Sequence, residues 1–148
     1  MKLASTYRIP ASRENVFAAL TDPAVLQQCI EGCESLTRKE DGSYAAKMRV
    51  GVGPVKGDFT GTARMSDLHP PESFTLIVNG RGTPGFVDGS ARMRLTTDGT
   101  ATIVSCDADV TVGGLIAAVG SRLIDVTAKR MMDKFFEALR GQVARSGG

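Results

Sequence analysis

The central part of this chain is a long stretch, residues 44–112, in which apolar side chains recur at every second position. The clearest run is 44–52, in which one face of the strand carries Tyr44, Ala46, Met48, Val50 and Val52. A period of two is typical of β-strands that bury one face. The alternation returns in the later runs, and turns that contain glycine or proline separate them. The sequence therefore predicts a meander of antiparallel strands.

Helical patterns lie on both sides of this meander. After an opening strand at residues 3–9, Ser12 and Asp22 are typical N-caps and predict two short helices. After residue 113, apolar residues at spacings of three and four predict one long helix to about residue 140. The apolar face of the sheet needs a cover, and this helix is the longest element available. We therefore predict an α+β fold, a curved antiparallel sheet of about seven strands wrapped round a long C-terminal helix, with two short helices after the first strand.

The length and the ends of the chain fit one globular domain. The chain has 148 residues and no internal repeat, which is an ordinary size for a single domain. We place this domain at residues 1–142 and predict a disordered tail at residues 143–148. The N-terminus lacks a secretory signal, and the longest nearly uncharged run, 110–121, is shorter than the ~18–20 residues of a membrane span. We therefore predict a cytoplasmic protein without a transmembrane segment.

Charge and reactive residues exclude several function classes. Lys and Arg total 18, Asp and Glu total 16, and the net charge of +2 argues against a nucleic-acid-binding protein. The single histidine, His69, has no partner at ligand spacing, so we predict no metal site. Asp58, Asp88, Asp107 and Asp109 all fall on the outward parity of their strands, which leaves no inward acid–base pair. We predict no catalytic residue and no cofactor.

The chain contains three cysteines, Cys29, Cys33 and Cys106. An odd number of cysteines argues against a secreted protein whose cysteines all form disulfides. The simplest interpretation is that the three thiols are reduced in a cytosolic protein. Cys29 and Cys33 are four residues apart, a spacing that on a helix puts both on one face. A regulatory disulfide between them therefore stays open as an alternative.

The inward positions of the predicted strands carry unusually small residues, such as Gly57, Gly61 and Gly89. Since protein interiors are close-packed, either the long helix lies close on the sheet or a cavity between them holds a ligand. Methionines among the inward residues suit an adaptable apolar pocket. The predicted lining of this cavity is Met48, Val50, Phe59, Gly61, Ala63, Met65, Phe74, Leu76, Phe86, Ala91, Met93, Val104, Cys106, Ala108, Gly120, Leu123, Thr127 and Met131.

A glycine-rich segment at residues 80–85 precedes Phe86. It has the glycine content of a phosphate-binding loop but neither the spacing nor the following helix. Two interpretations stay open: a simple turn, or a mobile hairpin at the mouth of the cavity with Phe86 as an apolar lid.

Four stretches of the sequence resemble the CoxG family of carbon monoxide dehydrogenase subunits, within the START/polyketide-cyclase-like helix-grip superfamily. They are IPA at 9–11 with VFAALTDP at 16–23, CIEGCE at 29–34, VGPVKG at 52–57 and GSRLI at 120–124. The resemblance extends from about residue 9 to about residue 136, and Glu31 stands where the family pattern usually has proline. It implies a helix-grip fold with a hydrophobic cavity.

The resemblance also implies a function. Members of the family are linked to molybdenum-containing aerobic CO dehydrogenases or related hydroxylases, to membrane recruitment of that enzyme, and to binding quinone-like lipids. Longer relatives carry a C-terminal extension that reaches the membrane; this chain stops at Gly148, so we expect at most peripheral association with the inner membrane through a partner. The family has no settled catalytic residues to transfer.

Three hypotheses for the function follow. The first is a non-catalytic carrier of a lipophilic small molecule, such as a quinone or a fatty or isoprenoid chain. The second is an assembly module that docks to a molybdenum hydroxylase, for which the basic helix residues Arg122, Lys129, Arg130 and Lys134 would steer the encounter. Those residues are equally consistent with a solvated helix face. The third is an enzyme of the cyclase or hydrolase type, which the missing inward acid–base pair disfavours.

Overall fold

The structure is a computed structural model, and it describes residues 1–145. Seven strands and three α-helices follow one another in the predicted order, with a short 3₁₀ helix before the last α-helix. The elements are β1 (Lys2–Ile9), α1 (Arg13–Leu20), α2 (Pro23–Cys29), β2 (Cys33–Arg38), β3 (Tyr44–Val52), β4 (Val55–His69), β5 (Ser73–Gly82), β6 (Gly85–Asp98), β7 (Ala101–Gly113), the 3₁₀ helix (Gly114–Val119) and α3 (Ser121–Arg145).

All seven strands form one curved antiparallel sheet in the order β1-β7-β6-β5-β4-β3-β2. From β2 to β7 each strand pairs with its neighbours in sequence through hairpins, and β1 closes the edge by pairing with β7. The predicted parity holds along β3, where Met48 and Val50 face inward and Lys47 and Arg49 are exposed. The predicted α+β fold, a curved antiparallel sheet of about seven strands around a long C-terminal helix, is thus confirmed, and so is the helix-grip fold that the family resemblance implies.

The two short helices begin at the predicted caps. The Ser12 Oγ accepts a hydrogen bond from the Asn15 amide at 3.2 Å, and an Asp22 carboxylate oxygen accepts one from the Ala24 amide at 3.0 Å. Both caps satisfy amides that a helix N-terminus leaves without partners. The helices connect β1 to β2 and pack against α3.

The long helix differs from its prediction at both ends. Residues 114–119 form a 3₁₀ helix, and Gly120 adopts φ +98°, a left-handed backbone that interrupts the helix before α3 begins at Ser121. The prediction of one continuous helix from the end of Gly113-Gly114 to about residue 140 is therefore wrong. At the other end α3 continues through Arg145 and Val143 is buried, so residues 143–145 of the predicted tail are helical; the remaining tail residues lie outside the described residues. Within residues 1–145, no helix has the length and apolarity needed to span a bilayer.

The buried side chains fall into two clusters. The larger one joins α1, β1, the middle of β6 and β7, and the C-terminal half of α3, where Phe136 and Leu139 are almost completely enclosed. The smaller one lies at the other end of the sheet, around Val52, Phe59 and Ile116. The space between these two clusters is the cavity described below.

The packed end of α3 gives a stability prediction. Leu139→Ala removes a side chain with 0% exposure and is expected to lower the free energy of unfolding by about 2–5 kcal/mol. Leu115→Ala is the matched control because its side chain is 63% exposed, and its effect should stay within about 0.5 kcal/mol. Urea denaturation measures both variants, and equal losses would contradict the assignment of the core.

Candidate ligand-binding site

An apolar cavity of about 350 Å³ lies between the concave face of the sheet and the helices α2 and α3. The inward side chains of β3, including Ala46 and Met48, form one wall, and Thr127, Ala128 and Met131 of α3 lie opposite. These inward β3 and α3 residues are only half-buried, because no side chain fills the space in front of them. The cavity is of the size that small lipophilic ligands occupy in other proteins.

Half of the predicted lining residues lie at this cavity. They come from β3, β4, β5 and α3, and they face the same enclosed space: Met48, Val50, Phe59, Gly61, Ala63, Met65, Leu76, Thr127 and Met131. That they bind a ligand is a proposal taken up below.

The prediction of the other half is wrong, mostly because α1, and not the long helix alone, covers part of the sheet. Phe74, Met93, Val104 and Cys106 are buried in the larger core cluster, and Ala91 packs against it. These five face α1 and the C-terminal half of α3, which are close-packed with the strands there.

The remaining predicted residues have other structural roles. Ala108 pairs with Leu3 and Ala91 in the sheet, and Gly120 supplies the break before α3. Leu123 packs over Gly53, where a Cβ would come within 2.6 Å of it. All three lie outside the lining of the cavity.

Phe86 does not cover the cavity in this structure. Its ring lies against Gly113, where an added Cβ would come within 2.1 Å of the ring, and the Arg81 guanidinium stacks over the ring at 5.1 Å from its centroid. Phe86 therefore joins the ends of β6 and β7. The segment before it is a tight β5–β6 hairpin in which Gly82 pairs with Gly85.

Several lining residues were not predicted. Some belong to elements that the prediction did not place at the cavity, namely α2 and the residue after it, β2, and the far ends of β6 and β7: Leu26, Ile30, Cys33, Leu36, Val87, Val110 and Val112. The spacing of Leu26 and Ile30 signals one helix face, but β2 is short and shows little alternation. Its contribution follows only from the sheet order, which places it beside β3.

Gly57 and Gly61 are small because neighbouring atoms pack closely against them, and they do not create the empty space of the cavity. A Cβ added to Gly57 would come within 2.4 Å of the Pro84 ring, and one added to Gly61 would lie 2.0 Å from the Asn79 carbonyl oxygen. Gly61 therefore allows the backbones of β4 and β5 to approach closely. The hollow itself comes from short side chains such as Ala46, Ala63 and Ala128.

The cavity wall is almost entirely apolar, and no Asp, Glu, His, Lys or Arg side chain lines it. Burial raises the pKa of the Cys33 thiol, which lines the cavity, and raises the pKa of Cys106 in the core to about 11. Both thiols are therefore protonated near neutral pH and are weak nucleophiles. Among residues 1–145, no three His, Cys, Asp or Glu side chains are grouped so as to hold a metal ion.

A second, polar depression lies directly beside the cavity, and we call it the basic groove. Its lining residues are Glu31, Arg49, Val50, Gly51, Gly53, Lys56, Leu123, Val126, Thr127 and Arg130. Val50 and Thr127 belong to both linings. The cavity and the groove are therefore separated by one layer of side chains.

Comparison with solved structures defines the class. A conserved protein from Geobacillus kaustophilus superposes with a TM-score of 0.94 at 31% identity, covering 99% of this chain and 97% of that one. A START superfamily protein from Mycobacterium smegmatis gives 0.71 at 16% identity, with 97% of both chains covered. The ZhuI aromatase/cyclase from Streptomyces sp. R1128 gives 0.68 at 16% identity, covering 100% of this chain and 96% of that one. The protein has the START-like helix-grip fold.

Within this class the family is settled by sequence. The chain belongs to the CoxG family of carbon monoxide dehydrogenase subunits, whose family model matches residues 6–144. The resemblance inferred from the four sequence motifs is confirmed. No curated protein matches the sequence.

The cysteines allow a chemical test of the cavity wall. Since thiolates are the reactive species and burial raises the pKa of both thiols, alkylation of Cys33 by iodoacetamide should be slow at about pH 7 and accelerate toward about pH 9. Cys106, buried and with its pKa raised to about 11, should stay unmodified over that interval. Peptide mapping by mass spectrometry measures both rates. A Cys106 that reacts as fast as Cys33 would contradict the packed core.

Proposed function

We propose that this protein binds a lipophilic small molecule, a quinone-like lipid, in the cavity and serves as a non-catalytic accessory protein of a molybdenum-type aerobic CO dehydrogenase or a related hydroxylase. The observation that carries the proposal is an apolar cavity of about 350 Å³ between sheet and helix. Membership in the CoxG family supports the accessory role. The proposed location is the cytoplasm, with contact to the inner membrane through the partner enzyme.

The expected affinity is moderate. Burying a prenyl chain of ~300 Å² at ~25 cal/mol per Å² contributes about 7 kcal/mol. Micromolar affinity corresponds to about 8 kcal/mol after the cost of association has been subtracted. The chain alone therefore falls short, and contacts to the polar end of the ligand have to supply the difference.

The proposal of a non-catalytic role is supported by the position of the carboxylates. Asp58 pairs with Arg49 on the outer face of the sheet, and Asp88 pairs with Arg81 there. Asp107 and Asp109 are also exposed. General acid–base catalysis needs a proton donor or acceptor within hydrogen-bond reach of a bound molecule, and none of these four carboxylates lines the cavity.

A pair of neighbouring alanines tests the binding function. Ala46 faces the cavity, whereas Ala45 is exposed on the other side of the same strand. Ala46→Leu places three additional carbon atoms in the cavity and should weaken binding of a quinone with a short isoprenoid chain by about 2 kcal/mol, roughly 30-fold in Kd. Ala45→Leu should leave the Kd unchanged.

Binding is measured by native mass spectrometry and titration after the protein has been delipidated. Thermal denaturation of both variants confirms that they fold. Delipidated protein that takes up neither a quinone nor a fatty chain would overturn the proposal, and so would equal Kd values for the two leucine variants.

The second candidate function, docking to the partner enzyme, is favoured by the exposed face of α3. Arg122 has no ion pair within residues 1–145, Val126 is 60% exposed, and Arg130 and Lys134 share one acid, Glu31, at 3.8 and 3.7 Å. A surface that combines exposed cations with an apolar side chain is suited to transient contact with an acidic protein surface. Docking and carrying are compatible, because a carrier must meet its partner to deliver.

Charge reversal tests the docking face. Replacing Arg122, Lys129, Arg130 and Lys134 by Glu should abolish co-purification with a molybdenum-containing CO dehydrogenase, because like charges then oppose the encounter. Arg64→Glu with Arg94→Glu, two exposed arginines on the outer face of the sheet, is the control and should co-purify normally. If the fourfold variant co-purifies with the enzyme as well as the unmodified protein does, the docking hypothesis is wrong.

A further inference from the structure

We propose that the cavity limits the hydrocarbon chain of its ligand to about two to three isoprene units, and that Phe59 and Met65 set this limit. The inference rests on the proposed function, because it concerns the same cavity and the same neutral, quinone-like ligand. What it adds is the class of quinone that fits, one with a short chain, and the two side chains that select it.

The volume of the cavity gives the length of the chain. An apolar cavity of about 150 Å³ holds one benzene molecule, which has six carbon atoms. At the same packing, a cavity of about 350 Å³ has room for about 14 carbon atoms. An isoprene unit has five carbon atoms, so the cavity encloses two to three units and has no room for a further one.

The sizes of the inward side chains of β4 show where the cavity ends. Gly61 and Ala63 are small, whereas Phe59 before them and Met65 after them are large, and all four line the cavity. Phe59 and Met65 are six positions apart in the sequence, which corresponds to about 20 Å along an extended strand. The inward face of β4 therefore leaves space in its middle and carries a large side chain at each end of that space.

Each of these two large side chains is supported by one of the core clusters. Phe59 is 5% exposed and belongs to the smaller cluster together with Val52 and Ile116. Met65 pairs with Leu76 of β5, and both side chains pack against the larger cluster. A chain longer than the cavity would have to displace part of a close-packed core, which weakens binding.

The test is a competition among quinones in one preparation of vesicles. Delipidated protein is incubated with phosphatidylcholine vesicles that contain equal amounts of benzoquinones with one to six isoprene units, separated from the vesicles and analysed by native mass spectrometry. A unit that moves from the bilayer into the cavity stays in apolar surroundings, whereas a unit left outside the cavity is exposed to water. Quinones with up to three units should load about equally, and each further unit should reduce loading roughly tenfold or more.

Three variants test the two residues. Phe59→Leu and Met65→Ala each remove three side-chain atoms from one end of the cavity. Met93→Ala removes the same three atoms as Met65→Ala, but from the larger core cluster and outside the lining. In both end variants the loading of the four-unit quinone relative to the two-unit quinone should rise roughly fivefold, and in Met93→Ala this ratio should stay unchanged. Thermal denaturation confirms that the three variants fold.

The outcomes separate this inference from the proposed function. Failure of every quinone to load would contradict ligand binding in the cavity. Loading that does not fall between three and six units would leave ligand binding intact and overturn the length limit. If the ratio of four-unit to two-unit quinone is the same in the end variants as in Met93→Ala, the assignment of the limit to Phe59 and Met65 is wrong.

Discussion

The structure depends on how firmly the C-terminal half of α3 is held against the sheet. Phe136, Leu139 and Val143 are buried among side chains of α1, β1 and the middle strands. The ring of Phe136 stacks on Tyr7 of β1 with 4.2 Å between the centroids, and the Tyr7 hydroxyl donates a hydrogen bond to Asp133. The N-terminal half of α3 contacts the sheet mainly through Leu123 and Ile124, which pack against the smaller cluster at the other end. The concave face of the sheet is therefore filled at both ends, and the cavity lies between the two clusters.

This division explains what sequence alone could predict. Alternation in residues 44–112 identifies the strands and their inward faces, because side-chain parity is a local property of an extended backbone. Which part of the inward face is covered is not a local property, because it depends on α1 folding back over β6 and β7. Side-chain parity alone therefore assigns Phe74 and Met93 to the cavity, although both belong to the core. The glycines are ambiguous for the same reason. Gly61 is small because another strand approaches it, which composition cannot distinguish from facing a void.

Apolar and charged side chains lie on opposite faces of the sheet. The cavity wall is almost entirely apolar, while the carboxylates of β4, β6 and β7 point outward and pair with arginines or face water. A ligand in a cavity with such a wall would be held mainly by its exclusion from water, and contacts of this kind tolerate ligands of different shape. Charged side chains of β3, β4 and α3 lie next to the cavity, at the basic groove. The apolar and the charged parts of this region are thus separate but adjacent.

The break at Gly120 determines how α3 is joined to the sheet. The C-terminal half of α3 is packed in the core. Its N-terminus follows Gly120, whose φ of +98° only glycine adopts easily. Nothing lies within 4 Å of where a Cβ would be at this position. A side chain at this position would find space but would have to adopt an unfavourable positive φ. The change of direction between the 3₁₀ helix and α3 therefore depends on the backbone freedom of one glycine, and any other residue there would alter how α3 leaves the sheet.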